Sequence, residues 1–230
     1  MNTLVSTNPA DNYSVIGKVT ISSSSEILEK VSAAQKAKIT WKELSLQKRI
    51  ALLKPICEEF TKRQEEIAQL ITREIGKPIT QSRNEIQWTI KEFQWFMDHV
   101  EFAIADEITY EDEKSIHKIV YEPFGVVAVI TPWNFPFGVA IWGIIPNLLV
   151  GNTVVFKISE ECPLSGKLIE EVFLNHHLPK GVFSEVYGAG DAGKQLSESD
   201  INFIWFTGST RTGKSLYKTA ADTFIKSCWN

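Results

Sequence analysis

Cysteine is scarce in this sequence and poorly placed for structural or metal chemistry. Only three occur in 230 residues, Cys57, Cys162 and Cys228. An odd, widely spaced set excludes a disulfide framework and any C-x-x-C metal site, and it fits a reducing, cytoplasmic setting. The four histidines show no H-E-x-x-H or similar ligand spacing, so no metal is expected. Positive charge is not in surplus. A net charge of −4 argues against nucleic acid as a partner, which would need a basic face. Residues 1–20 lack a basic start followed by an apolar core, so no signal peptide is expected. Charge is absent altogether from Pro123 to Phe156, a run long enough to span a bilayer. Pro132, Pro136 and Pro146, with Asn134, Asn147 and Asn152, cut that run into pieces of strand or short-helix length. Backbone broken in this way would lie unsatisfied in lipid, so a buried strand–helix–strand unit is expected and no membrane partner.

What the sequence does have is periodicity. Its N-terminal half reads helical. Ile27, Leu28, Val31 and Ala34 recur at helical spacing behind a serine run that can cap the helix. A second pattern starts after Ser45 and runs through Ile50, Leu53 and Ile56 to Phe60, with Pro55 expected to kink or split it. A third, Ile67, Leu70, Ile71 and Ile75, stops at Gly76-Lys77-Pro78. The stripe Ile86, Ile90, Phe93, Met97, Val100 and Ile104 reads as core. Residues 106–121 combine charge with short β-type runs and predict a hairpin with polar faces.

From Gly125 onward strands and helices alternate. VVAVIT, TVVFK, FSEVY and INFIWFT read as strands. FGVAIWGIIPNLL, PLSGKLIEEVFLNH, AGKQLSES and the segment after Thr210 read as helices. This pattern predicts an α/β fold: a Rossmann-like parallel sheet with helices on both faces, a helical N-terminal segment and a projecting hairpin.

Two glycine patterns point to phosphate. GAGDAG, Gly188 to Gly193, satisfies the dinucleotide fingerprint G-x-G-x-x-G between a strand and a helix. It comes late in the sheet, and a plain glycine turn explains it as well. GSTRTGKS, Gly208 to Ser215, satisfies the P-loop pattern at every position. A P-loop NTPase also needs a strand ending in Asp to hold Mg²⁺. No upstream strand ends that way, and none is expected after Ser215. A glycine turn opening a helix still offers free N–H groups to an anion, and a pyrophosphate would suit it as well as a triphosphate.

A more specific signal comes from three stretches in register: ITPWNFPF (130–137), GNTVVFKISEECP (151–163) and FTGSTRTGK (206–214). Their order and gaps resemble the successive signatures of NAD(P)-dependent aldehyde dehydrogenases. REIGKP (73–78) and YEPFGVV (121–127) are similar to that family's front end, and the likeness extends to about Phe224. The resemblance implies an oxidoreductase that converts an aldehyde and NAD to a carboxylic acid and NADH. It implies that residues 1–230 form a single incomplete NAD-binding domain, interrupted by the arm at about 106–121. Arms of this kind mediate subunit contact in the family, so a homo-oligomer or pairing with related subunits is expected.

The site residues follow from the same resemblance. Asn134 corresponds to the oxyanion-hole amide, which stabilises the negative oxygen of a tetrahedral intermediate. Bonding to its own proline-rich turn is the structural alternative for this residue. Lys157 and Glu160 would reach the adenosine ribose, with Ser159 and Gly190 in the same cofactor site. Gly208 and Ser209 would meet the pyrophosphate, and Ile130, Thr131, Pro132 and Trp133 the nicotinamide end. Glu160 favours NAD over NADP, because a carboxylate accepts from the 2′-hydroxyl and repels a 2′-phosphate.

The sequence also departs from the family. Ile158 stands where Pro is frequent, and Gly143 where many members carry a basic residue. In the family an E-L-G-G segment follows the last helix and supplies the general base, and the cysteine nucleophile lies several dozen residues beyond. Here the sequence reads TFIKSCWN, with Asn230 near the position of the base and Cys228 away from that of the nucleophile. The catalytic domain is therefore expected to be absent and turnover by this chain alone lacking. Cys162 beside Pro163 would feel a helix N-terminus that lowers its pKa, but with no histidine nearby it reads as a packing residue. The alternatives are a non-catalytic remnant that binds nucleotide or pairs with subunits and, on the GSTRTGKS pattern alone, a P-loop NTPase.

Overall fold

The computed structural model describes residues 2–229. It begins with a feature that the helical reading of the N-terminal half omitted. Strands β1 (Thr3–Asn8) and β2 (Ser14–Thr20) pair as an antiparallel hairpin. Both are rich in β-branched residues, and the turn between them holds Asn12 and Tyr13 at positive φ.

Four helices follow: α1 (Ser24–Glu43), α2 (Leu46–Lys62), α3 (Gln64–Ile75) and α4 (Ile79–Ala103). Ser23 and Ser45 cap the first two, their hydroxyls accepting from the N–H groups of Glu26 at 3.2 Å and Lys48 at 3.3 Å. Gly76 ends α3 in the left-handed region at φ 75°, where glycine pays no steric penalty. Pro55 neither splits nor ends α2, which runs on through it. Proline inside a helix costs roughly 3 kcal/mol. Leu53, Ile56 and Phe60 are fully buried on that helix, and each contributes roughly 1.5–3 kcal/mol, so burial wins.

The hairpin expected at 106–121 is present as β3 (Glu107–Glu111) paired with β4 (Ile116–Ile119). Its faces are not uniformly polar. Ile108, Tyr110, Ile116 and Ile119 are all exposed, because a lone two-stranded ribbon has no layer to bury them against.

The rest alternates: β5 (Val126–Ile130), α5 (Gly138–Leu149), β6 (Thr153–Lys157), α6 (Pro163–Asn175), β7 (Phe183–Glu185), α7 (Gly190–Ser197), β8 (Phe203–Phe206), α8 (Thr210–Thr223) and β9 (Lys226–Trp229). Strand β9 follows Ser215 and, as expected, does not end in Asp; that a strand forms there at all was not read from the sequence, because its pairing partner β8 is distant in the chain. The five strands are all parallel, in the order β7-β6-β5-β8-β9. The charge-free run is thus β5, α5 and β6, and both strands are buried at every residue. No described helix is long and apolar enough to cross a membrane.

Alternate residues of β5 feed two cores. Val127 and Val129 pack with side chains of α2 to α6, and Val126, Ala128 and Ile130 with those of α1, α7 and α8. From β5 the chain first builds outward to β7, then returns and builds the other way through β8 to β9. A crevice opens at the carboxyl ends of the strands where that direction reverses.

Candidate functional site

At the reversal point the ends of β5, β6 and β8 and the helices α7 and α8 surround a cavity of about 320 Å³. Ile130, Thr131, Pro132 and Trp133 line it after β5. Lys157, Ser159 and Glu160 line it after β6, Gly190 at the start of α7, and Gly208 and Ser209 just before α8. Every residue assigned to a cofactor by resemblance therefore borders one hollow. Asn134 does not line it. Its side chain is exposed and forms no hydrogen bond with the described residues, so it is not tied to its own turn.

The inner faces of two helices escaped the sequence reading. Gly193, Lys194 and Ser197 on α7 face Thr212, Ser215, Leu216 and Thr219 on α8 across the cavity. Their three- and four-residue spacing was visible in the sequence, but only the packing of α7 near α8 shows what it faces.

Lys157 carries the strongest electrostatic constraint. Its side chain is buried, its Nζ donates to the Ile158 carbonyl at 2.9 Å and lies 3.6 Å from Glu160 Oε2. Burial lowers its pKa and Glu160 opposes that shift. A Cβ on Gly193 would stand 3.4 Å from Lys157 Cδ, so α7 holds the lysine stem in place. At α8, the Ser209 hydroxyl accepts from the Thr212 N–H at 3.2 Å, and the first turn has no acidic residue. Gly208 is needed for closeness, since a Cβ there would come within 2.5 Å of the Phe206 ring. Thr131 Oγ1 and Thr207 Oγ1 are buried at the ends of β5 and β8 with no hydrogen-bond partner among the described residues. Orphaned hydroxyls in a crevice wall fit a polar ligand.

The P-loop reading does not survive this geometry. Helix α8 begins at Thr210, so most of GSTRTGKS is helix and no loop remains to wrap a phosphate. Lys214 does not line the crevice; it borders an adjoining hollow that shares Phe206, Gly208 and Ser209 with it. In GAGDAG, Gly188 lets the chain turn tightly, since a Cβ there would stand 2.6 Å from that of Ala192. Gly190 meets nothing within 4 Å, which leaves its side of the crevice open.

No cysteine lines the crevice. Burial in the helical core pushes the Cys57 thiol up to about 11. Cys162 precedes α6, yet its pKa is raised rather than lowered. It is fully buried, and Glu74 and Glu185 lie near enough to oppose a thiolate. Cys228 is exposed on β9. Asn230 lies outside the described residues. Among the described residues no cluster of three or more His, Cys, Asp or Glu could hold a metal ion.

Comparison with known proteins agrees with this geometry. The family model described as "Aldehyde dehydrogenase family" matches residues 2–229. The chain is 38% identical over 192 residues to the NADP/NAD-dependent aldehyde dehydrogenase PuuC of Escherichia coli K12, which covers 82% of this chain and 39% of that protein. It is 34% identical over 215 residues to the alpha-ketoglutaric semialdehyde dehydrogenase of Bacillus subtilis 168, covering 93% of this chain and 44% of that one. Among solved structures, PnpE in complex with nicotinamide adenine dinucleotide superposes with a TM-score of 0.92 at 32% identity, over 99% of this chain and 47% of that one. The NADP-dependent glyceraldehyde-3-phosphate dehydrogenase from Bacillus halodurans C-125, complexed with NADP, gives 0.91 at 29% identity, over 99% and 49%. The chain thus spans about two-fifths to a half of the length of the proteins it matches.

Proposed function

The chain belongs to the aldehyde dehydrogenase family, and on that premise we propose that its crevice holds a nicotinamide adenine dinucleotide, with NAD preferred to NADP. That group, when bound, accepts the hydride as an aldehyde and water become a carboxylic acid. The observation that carries the reading is the convergence of Trp133, Lys157, Glu160 and Ser209 on one hollow at the strand ends. In this reading the N–H groups opening α8 meet the pyrophosphate, where helix dipole and free donors both favour negative charge. Lys157 and Glu160 hold the adenosine ribose between them. The facing stripes of α7 and α8 grip the adenine. Thr131 and Trp133 bound the nicotinamide, and the free Asn134 amide donates to the aldehyde oxygen as it gains charge.

Relatives use both NAD and NADP, and Glu160 supports NAD here. Its carboxylate would repel a 2′-phosphate. Calorimetric titration tests the assignment. Lys157→Ala should weaken NAD binding by about tenfold or more, the value of a charged hydrogen bond. Glu160→Gln should narrow the gap between NAD and NADP. Equal affinity for both dinucleotides in the unaltered protein, insensitive to either substitution, would overturn the reading.

We further propose that these 230 residues form one cofactor domain, interrupted by the β3–β4 arm, and do not turn aldehydes over by themselves. Two of the thiols are buried with raised pKa, and the third lies on an edge strand away from the crevice. Covalent catalysis has no substitute for its nucleophile. Multiple-turnover NADH formation from short aldehydes at enzyme-like rates would contradict this. The apolar residues exposed on the arm support pairing with a second copy or a related subunit, readable as mass by light scattering. Buried, unpaired Cys57 and Cys162 suit a reducing cytoplasm.

A further inference from the structure

Beside Asn134, two helix faces meet without burying what they carry. Glu85, Trp88 and Glu92 share one face of α4 by their spacing, and Phe135 and Trp142 stand opposite, before and on α5. The groove between them holds about 440 Å³. Its base is tight, since a Cβ on Gly138 would come within 3.2 Å of Thr89 Oγ1. Its walls are open. Trp88, Phe135 and Trp142 remain 66%, 50% and 40% exposed, an aromatic concentration that marks a binding surface.

The charges of the groove are unequal. Lys77, the cation that lines it, lies 2.5 Å from Glu85 Oε2 and 4.0 Å from the centre of the Phe135 ring. Glu85 is further committed to the N–H groups of Phe137 and Gly138, each at 3.0 Å. Lys77 therefore balances Glu85, and Glu92 is left as the unmatched charge. Among the described residues its carboxylate accepts from the Trp142 indole N–H and forms no ion pair. Lys91 approaches the Trp88 ring at 5.7 Å, near the outer limit for a cation over an aromatic face, and does not line the groove.

Lys77 displays the pattern to which the rest of the groove conforms, an ammonium held between a carboxylate and a ring. Glu92, Trp88 and Trp142 repeat the carboxylate and the rings. We propose that this groove takes the tail of a substrate aldehyde whose far end is a cation, an alkylammonium or quaternary ammonium group. The proposal rests on the functional reading above, in which Asn134 receives the carbonyl oxygen. Glu92 supplies the opposing charge, and the two indoles supply faces that attract a weakly hydrated cation. An anionic tail would meet Glu92 and Glu85 and find Lys77 already engaged.

Choline is a suitable probe, with 3,3-dimethylbutanol as its uncharged isostere and glutarate as an anion. The indole N–H resonances of Trp88 and Trp142 report binding. Choline should shift both saturably, with the neutral isostere about tenfold weaker and glutarate without effect. Glu92→Gln keeps an acceptor for Trp142 but removes the charge, and should weaken choline about tenfold. Trp88→Ala should weaken it independently. Equal binding of the isostere, indifference of choline to Glu92→Gln, or no saturable choline shift would overturn the proposal. NAD titration of the same samples separates the two readings. Choline bound without NAD leaves a cation site but removes the dehydrogenase setting, and NAD bound without choline removes only the cation site.

Discussion

The N-termini of α6 and α8 face the same problem, N–H donors without helical partners, and meet it differently. At α6 a carboxylate arrives from outside the helix. Glu74 of α3 accepts from the N–H groups of Leu164 and Ser165 at 2.8 and 2.9 Å, and from the hydroxyls of Ser165 and Ser6 at 2.6 and 2.7 Å. Glu85 of α4 does the same for the start of α5, with Lys77 as its counter-ion. At α8 no acid is supplied. Ser209, which lines the crevice, caps the helix with its own hydroxyl, and no carboxylate fills the first turn. Two helix ends are filled by carboxylates from other helices and one is not. Placement of acidic side chains, more than the number of glycines, separates the two filled helix ends from the open one.

The contrast can be broken most sharply at Glu74. Glu74→Ala would leave two N–H groups and two hydroxyls buried without partners. A loss of roughly 3 kcal/mol in denaturant unfolding is expected, with NAD affinity unchanged. A loss below about 1 kcal/mol would mean that water takes over the cap and that the two kinds of helix end are not distinct.

A third buried glutamate sharpens the comparison because it caps nothing. Glu185 is fully buried, and its Oε1 has no hydrogen-bond partner among the described residues. The Tyr187 hydroxyl lies 2.7 Å from Glu170 Oε2 and 3.2 Å from Glu185 Oε2. One hydroxyl carries one proton, so both contacts are bonds only if one of the two carboxyl groups is protonated and donates. Burial, reinforced by Glu170, pushes the Glu185 pKa well above the carboxylate range, while Tyr187, Lys30 and Lys157 pull the other way. The folded state then keeps a proton that the unfolded chain releases above a pKa of about 4.3. Stability associated with this group is complete at acid pH and declines as pH rises towards the folded pKa. Glu185→Gln should remove that slope. It should raise the unfolding free energy at neutral pH relative to the unaltered protein, with the advantage shrinking as pH falls and vanishing near about pH 4. Parallel pH profiles for the two proteins would show that Glu185 is ionised in the fold.

The smallest effect is expected at the open helix end. Ser209→Ala should cost about 1 kcal/mol of stability, the usual value of a serine cap. Its hydroxyl already serves its own helix, so NAD affinity should fall less than with Lys157→Ala. An equal or larger fall would assign that hydroxyl to the ligand rather than to the cap.

Much of this was legible in the sequence where the cause is local. The caps at Ser23 and Ser45, the stop at Gly76, and the β5–α5–β6 unit within the charge-free run depend on neighbours a few residues away. The misses share the opposite origin. β9 exists because β8 pairs with it, and α2 passes through Pro55 because one of its faces is buried. Cys162 has a raised thiol pKa because side chains from other segments surround it. GSTRTGKS was misleading because a string does not show where its helix begins.

The sequence alone determined the alternation of strands and helices and the identity of the family, since periodicity and motif register are written along the chain. Only the tertiary structure decided which carboxylates seal helix ends, which hydroxyls stay unpaired and which aromatics remain open beside Asn134. Those properties depend on burial and on contacts between segments as distant as Glu74 and Ser165, and an effective dielectric or an unfilled donor exists only once such segments have met.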